Sequence, residues 1–241
     1  MNIEGRNQVI EAIKNSKTIN KLLIDRNFAS RKDDVISLAK QNKIRVEFMP
    51  KKALDELSKT GHHQGYIAET VEFEYCELSD ILQVSKDRGH DPFVVLLDSI
   101  EDPHNLGAII RTCECAGVDG IVIPKLRACQ VNETVVRTSA GAISNVKIAR
   151  VTNLKEAIDF FKENGLWIYA SETGGEDIYK QNLTGPIGIV VGSEGNGVKP
   201  SIRAYCDGII TLPLKGSVNS LNASVASALC VYEVLRQREH S

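Results

Sequence analysis

Leu212-Pro213-Leu214-Lys215-Gly216-Ser217-Val218-Asn219-Ser220-Leu221-Asn222-Ala223-Ser224-Val225-Ala226 decides how the rest of this chain is read. A short β-branched strand leads into it, a glycine turn follows, and a long helix opens behind hydroxyl and amide side chains. A turn that ends at a helix N-terminus gathers unpaired backbone N–H groups and carbonyls, and can hold a polar ligand by its main chain. Two other segments repeat the order of strand, glycine turn and polar residue: Leu97-Asp98 through Arg111, and Val191-Gly192-Ser193-Glu194-Gly195-Asn196-Gly197. Recurrence of this turn within one α/β pattern points to a shared ligand site rather than to independent loops.

Around these turns the strands are short apolar runs of the kind buried on both faces: Phe93 to Leu97, Gly120 to Ile123, Val146 to Ile148, Leu166 to Ala170, Ile187 to Val191 and Ile209 to Leu212. Helical periodicity separates most of them, at 106–116, 132–139, 154–164 and 222–237. Strands alternating with helices predict a mostly parallel sheet covered on both faces. Ligands of such sheets sit beyond the carboxyl ends of the strands, which is where the glycine turns fall.

The N-terminal third has its own alternation. Asn7 is placed to cap a helix with Val9, Ile10 and Ile13 on one face, and strand-like Leu22 to Ile24 follows. Helical 35–40, strand-like 44–49, helical 52–57 and extended Tyr66-Ile67-Ala68 complete a small α/β module. Acidic residues at 69, 72, 74, 77 and 80 and the polar run Ser85 to Asp91 then read as a linker, with room for a short helix. The expected organisation is a module over 1–70, a linker over 71–91 and a larger α/β domain over 92–241.

Composition sets the limits. The 241 residues are 42% hydrophobic and 25% charged, with no apolar run long enough to span a membrane. No signal peptide is apparent after Met1, so a cytoplasmic location is expected. Six cysteines include no C-x-x-C pair, and His62-His63 have no matching ligand cluster, so neither disulfides nor a metal site are expected. The net charge of −2 hides an asymmetry: residues 1–65 carry 13 Lys and Arg against 8 Asp and Glu (+5), and the remainder 16 against 23 (−7). A basic module on an acidic body suits contact with a polyanion, although ordinary solvated helix faces would give the same count.

Familiar nucleotide and hydrolase motifs fail here. A phosphate-binding loop needs G-x-x-x-x-G-K-[ST], but Gly197 is followed by Val198, Lys199 and Pro200. Pro200 also occupies the third glycine position of a dinucleotide fingerprint. Val191 stands where a serine-hydrolase elbow needs its first glycine.

The three turns resemble, in order and spacing, the motifs of the SpoU (TrmH-type) RNA ribose 2′-O-methyltransferases of the SPOUT superfamily. The stretches that carry the resemblance are Asp102-Pro103-His104-Asn105-Leu106-Gly107-Ala108-Ile109-Ile110-Arg111, Ile189 through Gly197, and Leu212 through Ala226. It covers about 92–238, and the module ending in His63-Gln64-Gly65-Tyr66-Ile67-Ala68 is similar to the substrate-binding extension of the family, itself like small ribosomal RNA-binding proteins. The arrangement is most similar to family members that methylate guanosine in 23S ribosomal RNA. Ala223 stands where a valine is usual.

The resemblance implies a C-terminal domain tied in a deep trefoil knot, a homodimer, and S-adenosylmethionine held mainly by main-chain atoms at Gly192, Leu212 and Leu221. It implies catalytic roles for Asn105, Arg111, Glu194, Ser220 and Asn222. Read from the residues alone, Asn105, Ser220 and Asn222 could each cap a helix, Glu194 could stabilise a turn, and Arg111 could be a solvated charge. In the family the arginine has been assigned as the base that takes the 2′-hydroxyl proton. A guanidinium holds its proton too firmly for that, and fixing the target phosphate while stabilising the developing alkoxide is more economical. Glu194 could orient Arg111 or the RNA, and Val225, Leu229, Tyr232 and Leu235 form one stripe of the last helix, for a core or a dimer. A tRNA or antibiotic-resistance rRNA methyltransferase, and a non-catalytic ribosome-assembly factor, stay open as alternatives.

Overall fold

A computed structural model describes residues 2–14, 19–29, 33–42, 44–70, 73–217 and 219–240. Glu72 of the acidic stretch and Val218 of the third motif lie outside them. Two compact units result, residues 1–74 with 131–133 and residues 75–130 with 134–241. Among the described residues, no helix is long and apolar enough to cross a membrane.

The first unit runs β1 (Asn2–Glu4), α1 (Arg6–Lys14), β2 (Ile19–Asp25), a 3-10 turn (Arg26–Phe28), α2 (Asp34–Gln41), β3 (Arg45–Met49), α3 (Lys51–Leu57) and β4 (Tyr66–Thr70). The sheet order is β1-β4-β2-β3, with β3 parallel to β2 and β4 antiparallel to both its neighbours. Val9, Ile13, Leu22, Ile24, Val35 and Tyr66 form its main core. The helix α1 starts before Asn7. Gly5, at φ 93°, bends the chain and its carbonyl accepts Val9 N–H at 3.0 Å, so Asn7 lies in the first turn and caps nothing. The three-residue strand β1 is too short to show in the sequence pattern.

Glu4 closes β1 and is buried. Burial alone would push its carboxyl pKa up. Hydrogen bonds from Ser58 Oγ (2.6 Å), Thr60 Oγ1, Lys59 N–H (2.7 Å) and Thr60 N–H (3.3 Å) outweigh that and lower it to about 2. A depressed folded pKa stabilises the fold above the carboxyl's unfolded value, and the gain is lost as pH falls towards 2. We expect the Tm of the wild type to drop between about pH 5 and 2 more steeply than that of Glu4→Gln, which keeps the volume without the charge. Parallel curves in a pH series of thermal melts would contradict this.

The second unit opens with α4 (Leu78–Arg88), where a linker was expected over 71–91. Glu77 and Asp80 form a capping box at its start, and Gly89, at φ 71°, ends it in the left-handed conformation. Its Ile81 and Leu82 belong to the same buried cluster as Val94, Leu96 and Val122. A Cβ on Gly120 would come within 2.5 Å of Ile81, so that glycine is what lets the helix approach the sheet. The chain already joins this unit at Cys76, whose N–H donates to Ile148 O at 3.0 Å. The short helix for which the segment had room is three turns long, and its two apolar anchors among so many polar residues do not show in the sequence that it packs on the sheet.

There follow β5 (Phe93–Asp98), α5 (Pro103–Cys115), β6 (Gly120–Pro124), α6 (Glu133–Thr138), β7 (Lys147–Val151), α7 (Leu154–Glu163), β8 (Trp167–Asp177), β9 (Ile187–Gly192), α8 (Pro200–Arg203), β10 (Gly208–Thr211) and α9 (Ala223–Glu239). The six-stranded sheet has the order β10-β8-β9-β5-β6-β7, and its neighbouring strands pair in parallel. Asp98 of β5 lies in register with Gly192 of β9, so the first and second turns leave the sheet side by side. Helix α9 buries Ala223, Ser227, Cys230, Val231 and Val234. The stripe read as core or dimer face is not the core, since Val225, Leu229 and Tyr232 are 47%, 42% and 50% exposed.

Candidate active site

The three turns meet at the carboxyl edge of the larger sheet. Glu194 is the hub of their hydrogen bonds. Its Oε1 accepts Asn105 Nδ2 at 2.8 Å, Asn222 Nδ2 at a shorter distance and the Ala223 N–H at 3.4 Å, while Asn222 Nδ2 also donates to Asn105 Oδ1 at 3.0 Å. One residue from each motif thus enters a single polar triangle. Asn222 also caps α9, because its Oδ1 accepts the N–H groups of Ser224 (3.0 Å) and Val225 (3.3 Å). The same side chain thus serves as cap and as a corner of the triangle. Asn105 is not a cap, because Asp102 fills that position, accepting His104 N–H at 2.9 Å ahead of Pro103. Ser220 is not the cap of α9 either, since Asn222 holds that position.

Beside the triangle lies a cleft of about 310 Å³, bordered by Gly192, Glu194, Leu212, Ser220 and Leu221. Gly192 could not be another residue: a Cβ there would sit 2.0 Å from the Gly197 carbonyl carbon and 2.2 Å from Val198 N. The 193–197 turn folds back on itself, with Gly197 N–H donating to Ser193 O at 2.8 Å and Gly197 at φ 61°. On the far side of the cleft, the backbone N–H and carbonyl groups of Leu212 and Leu221 belong to no helix or strand. They take no backbone partner among the described residues.

Arg111 stands apart from this network. Its side chain is exposed on α5 and makes no hydrogen bond or ion pair with any described residue, so Glu194 is oriented by two asparagines and not by the arginine. Four residues to which sequence reasoning gave no role, Asp98, Lys199, Glu172 and Thr211, complete the frame. Asp98, buried at the end of β5, accepts the Lys199 N–H and Nζ, both at 2.8 Å, and so pins the chain just beyond the second turn to the strand beneath. Glu172 accepts the Val198 N–H at 3.0 Å, and its carbonyl accepts Thr211 Oγ1 at 2.7 Å, joining β8 to the end of β10. For Asp98 the available signal was an acidic residue closing an otherwise apolar strand.

The smaller unit has a charged edge of its own. The carboxyl ends of β2 and β3 and the loop into β4 share one side of its sheet, since Ile24 pairs with Tyr66 and with Phe48. Arg26, Lys51, Lys52 and Lys59 are exposed there, with no side-chain hydrogen bond or ion pair to a described residue. Neighbouring carboxylates are engaged: Asp25 accepts Asn27 N–H at 3.0 Å, and Asp55 lies 2.8 Å from Nε2 of buried His63. Gly65 N–H donates to His63 Nδ1 at 2.9 Å, which assigns the ring proton to Nε2. Cations left over after internal pairing are what a phosphate backbone needs.

A parallel α/β unit whose strand-end turns converge on a glycine-floored cleft, joined in one chain to a small unit with a basic edge, suits a polyanionic substrate better than nucleotide hydrolysis, for which the phosphate-binding loop is broken. The sequence pattern of the SpoU rRNA methylase family matches residues 92–232, and that of RNA 2′-O ribose methyltransferase substrate binding matches residues 2–76. The chain belongs to the SpoU rRNA methylase family. It is 41% identical over 237 residues to YacO of Bacillus subtilis, named for the TrmH family of tRNA/rRNA methyltransferases, covering 97% of this chain and 94% of that one. A Staphylococcus saprophyticus protein named for the same family is 42% identical over 240 residues, covering 99% and 96%. Among solved structures, the SpoU methyltransferase AviRb from Streptomyces viridochromogenes, in complex with the cofactor AdoMet, aligns with a TM-score of 0.65 at 23% identity, covering all of this chain and 91% of that one. The A. aeolicus TrmH/SpoU tRNA modifying enzyme aligns over 68% of this chain and 85% of its own, with a TM-score of 0.57 at 29% identity.

Proposed function

We propose that this protein transfers a methyl group from S-adenosylmethionine to a ribose 2′-hydroxyl of 23S ribosomal RNA, on a guanosine. The observation that carries the reading is the convergence of Asn105, Glu194 and Asn222 beside the cleft floored by Gly192. The cleft fits the cofactor by its donor set: main-chain groups at Leu212 and Leu221 without a backbone partner among the described residues suit an adenine edge, and the absent Cβ at Gly192 lets the second turn fold back over the strand end to shape the cleft floor. When bound, S-adenosylmethionine supplies an electrophilic methyl carbon on a sulfonium.

The chain's own residues do the rest. Asn105 and Asn222 hold Glu194 so that the second turn keeps its shape at the cleft mouth, and Ser220 offers a hydroxyl at the rim. Arg111 has no partner among the described residues to give up, so its planar fork of N–H donors can take the phosphate beside the target ribose. Its guanidinium keeps its proton and donates to the 2′-oxygen as negative charge develops there, while the hydroxyl proton leaves to solvent water as the new C–O bond forms; this is electrostatic stabilisation and not base catalysis. Alignment of the 2′-oxygen with the reacting carbon supplies much of the remaining acceleration. A homodimer belongs to this reading, and the exposed Val225, Leu229 and Tyr232 of α9 support it. The family's C-terminal knot and a cytoplasmic location belong to it as well.

The basic edge of the smaller unit grips the RNA. Replacing Arg26, Lys51, Lys52 and Lys59 with alanine should flatten the log–log salt dependence of RNA binding by about 3 units, near 0.7 per lost phosphate contact on single strands. Fluorescence anisotropy at several salt concentrations reads the slope, and an unchanged one would assign the grip to the larger unit alone. Substrate choice is tested by mapping 2′-O-methylation across total RNA from cells with and without the protein. Loss of a mark at one 23S guanosine supports the proposal; loss at a tRNA position assigns the enzyme to tRNA instead.

A further inference from the structure

The loop after β6 carries residues that the mechanism leaves unused. Leu126 is 63% exposed, more than any other large apolar side chain among the described residues. It stands between Lys125 and Arg127, both exposed, and Arg137 of α6 is exposed nearby in sequence. None of these three cations makes a side-chain hydrogen bond or ion pair with a described residue. A single exposed leucine means nothing by itself. A leucine held up between unpaired cations, at the same edge of the sheet as the cleft, is a different matter.

The loop is built to hold that shape. Lys125 N–H donates to Val151 O at 2.7 Å, and Gln130 Nε2 donates to the carbonyls of Pro124 (2.9 Å) and Ala128 (3.2 Å). Cys129 N–H donates to Ile100 O at 2.7 Å, which ties the loop to the turn that carries the first motif, two residues before Asp102. Arg127 is held at φ 55°, a conformation uncommon for a long side chain. On the other side of α5, a Cβ on Gly107 would meet Thr138 Cβ at 2.6 Å, so α6 packs closely on the helix that bears Arg111 one turn later.

We propose that Leu126 is a wedge for structured RNA, with Lys125 and Arg127 holding the phosphates on either side of it. The inference rests on the RNA methyltransferase reading and adds how the target is exposed. A ribose 2′-hydroxyl in a stacked or paired segment is poorly presented, and sequence-specific RNA recognition favours unstacked nucleotides. Apolar side chains inserted between bases unstack a step, while neighbouring cations neutralise the backbone that must bend around them. Leu126 packs against the base next to the target, and the target ribose swings towards Arg111 and the cleft.

The test uses the full chain, an RNA fragment that the protein methylates, and 2-aminopurine beside the target nucleotide. Leu126→Ala should lose the fluorescence rise that reports unstacking. It should lower kcat/KM about 10²-fold on the folded fragment, the scale of one unstacked step, with a clearly smaller loss when the target is presented in an unpaired strand. Lys125→Ala/Arg127→Ala should lower the salt slope of RNA binding by about 1.4. Unchanged fluorescence and rate in Leu126→Ala, or equal losses on folded and unpaired RNA, would overturn the wedge, the second by reducing Leu126 to local packing. A wild-type protein that binds RNA but transfers no methyl group would sink the enzymatic reading, and the slope of the double variant would still decide whether this loop touches RNA.

Discussion

Arg111→Ala should lower the rate of methyl transfer by about 10²–10³-fold or more, the usual cost of removing a donor aimed at developing negative charge. Affinity for S-adenosylmethionine should stay within about twofold, because the arginine lies outside the cofactor cleft and touches none of the network around Glu194. Arg111→Lys should be nearly as impaired. An ammonium keeps the charge but not the planar fork that holds a phosphate and a second oxygen together. Single-turnover assays with labelled cofactor, paired with calorimetry of cofactor binding, separate the two effects. A lysine variant with near-full turnover would mean that charge alone suffices, and the geometric role given to the guanidinium would be wrong.

Gly192→Ala should strike the cofactor side instead. The added methyl would lie 2.0 Å from the Gly197 carbonyl carbon, so the second turn must move by more than an ångström, and the Glu194 carboxylate moves with it. Displacements of that size cost about 10²-fold at a reacting centre, and here we expect at least that loss in cofactor affinity. Gly185→Ala, outside the cleft, is the control. Its Cβ meets nothing within 4 Å, so affinity should barely change. Calorimetry checks both, with circular dichroism to show that each variant folds. Equal affinities for Gly192→Ala and the wild type would place the cofactor elsewhere.

Much of the larger unit was legible because most of its strands are short, largely apolar runs, as a strand covered on both faces requires. Phe93 to Leu97 and Ile187 to Val191 announce β5 and β9 directly. What stayed hidden was the contact between distant places. Nothing local says that Asn105 hydrogen-bonds a glutamate 89 positions away, so its first-turn position looked like a cap until Asp102 was seen to fill that role. The packing of α4 was hidden for a related reason: Ile81 gains its meaning only from Gly120, the strand residue that makes room for it. The exposed stripe of α9 was legible as a stripe but not as to side, since a 3.6-residue period gives a face without saying what covers it.

The most direct test is to incubate the purified protein with methyl-labelled S-adenosylmethionine and 23S ribosomal RNA that lacks the modification, then digest the RNA to nucleosides. The account predicts label in 2′-O-methylguanosine from a single position, protection of the adjacent phosphodiester from alkali, and no transfer by Arg111→Ala. Label on a nucleobase, or transfer that survives loss of Arg111, would contradict it.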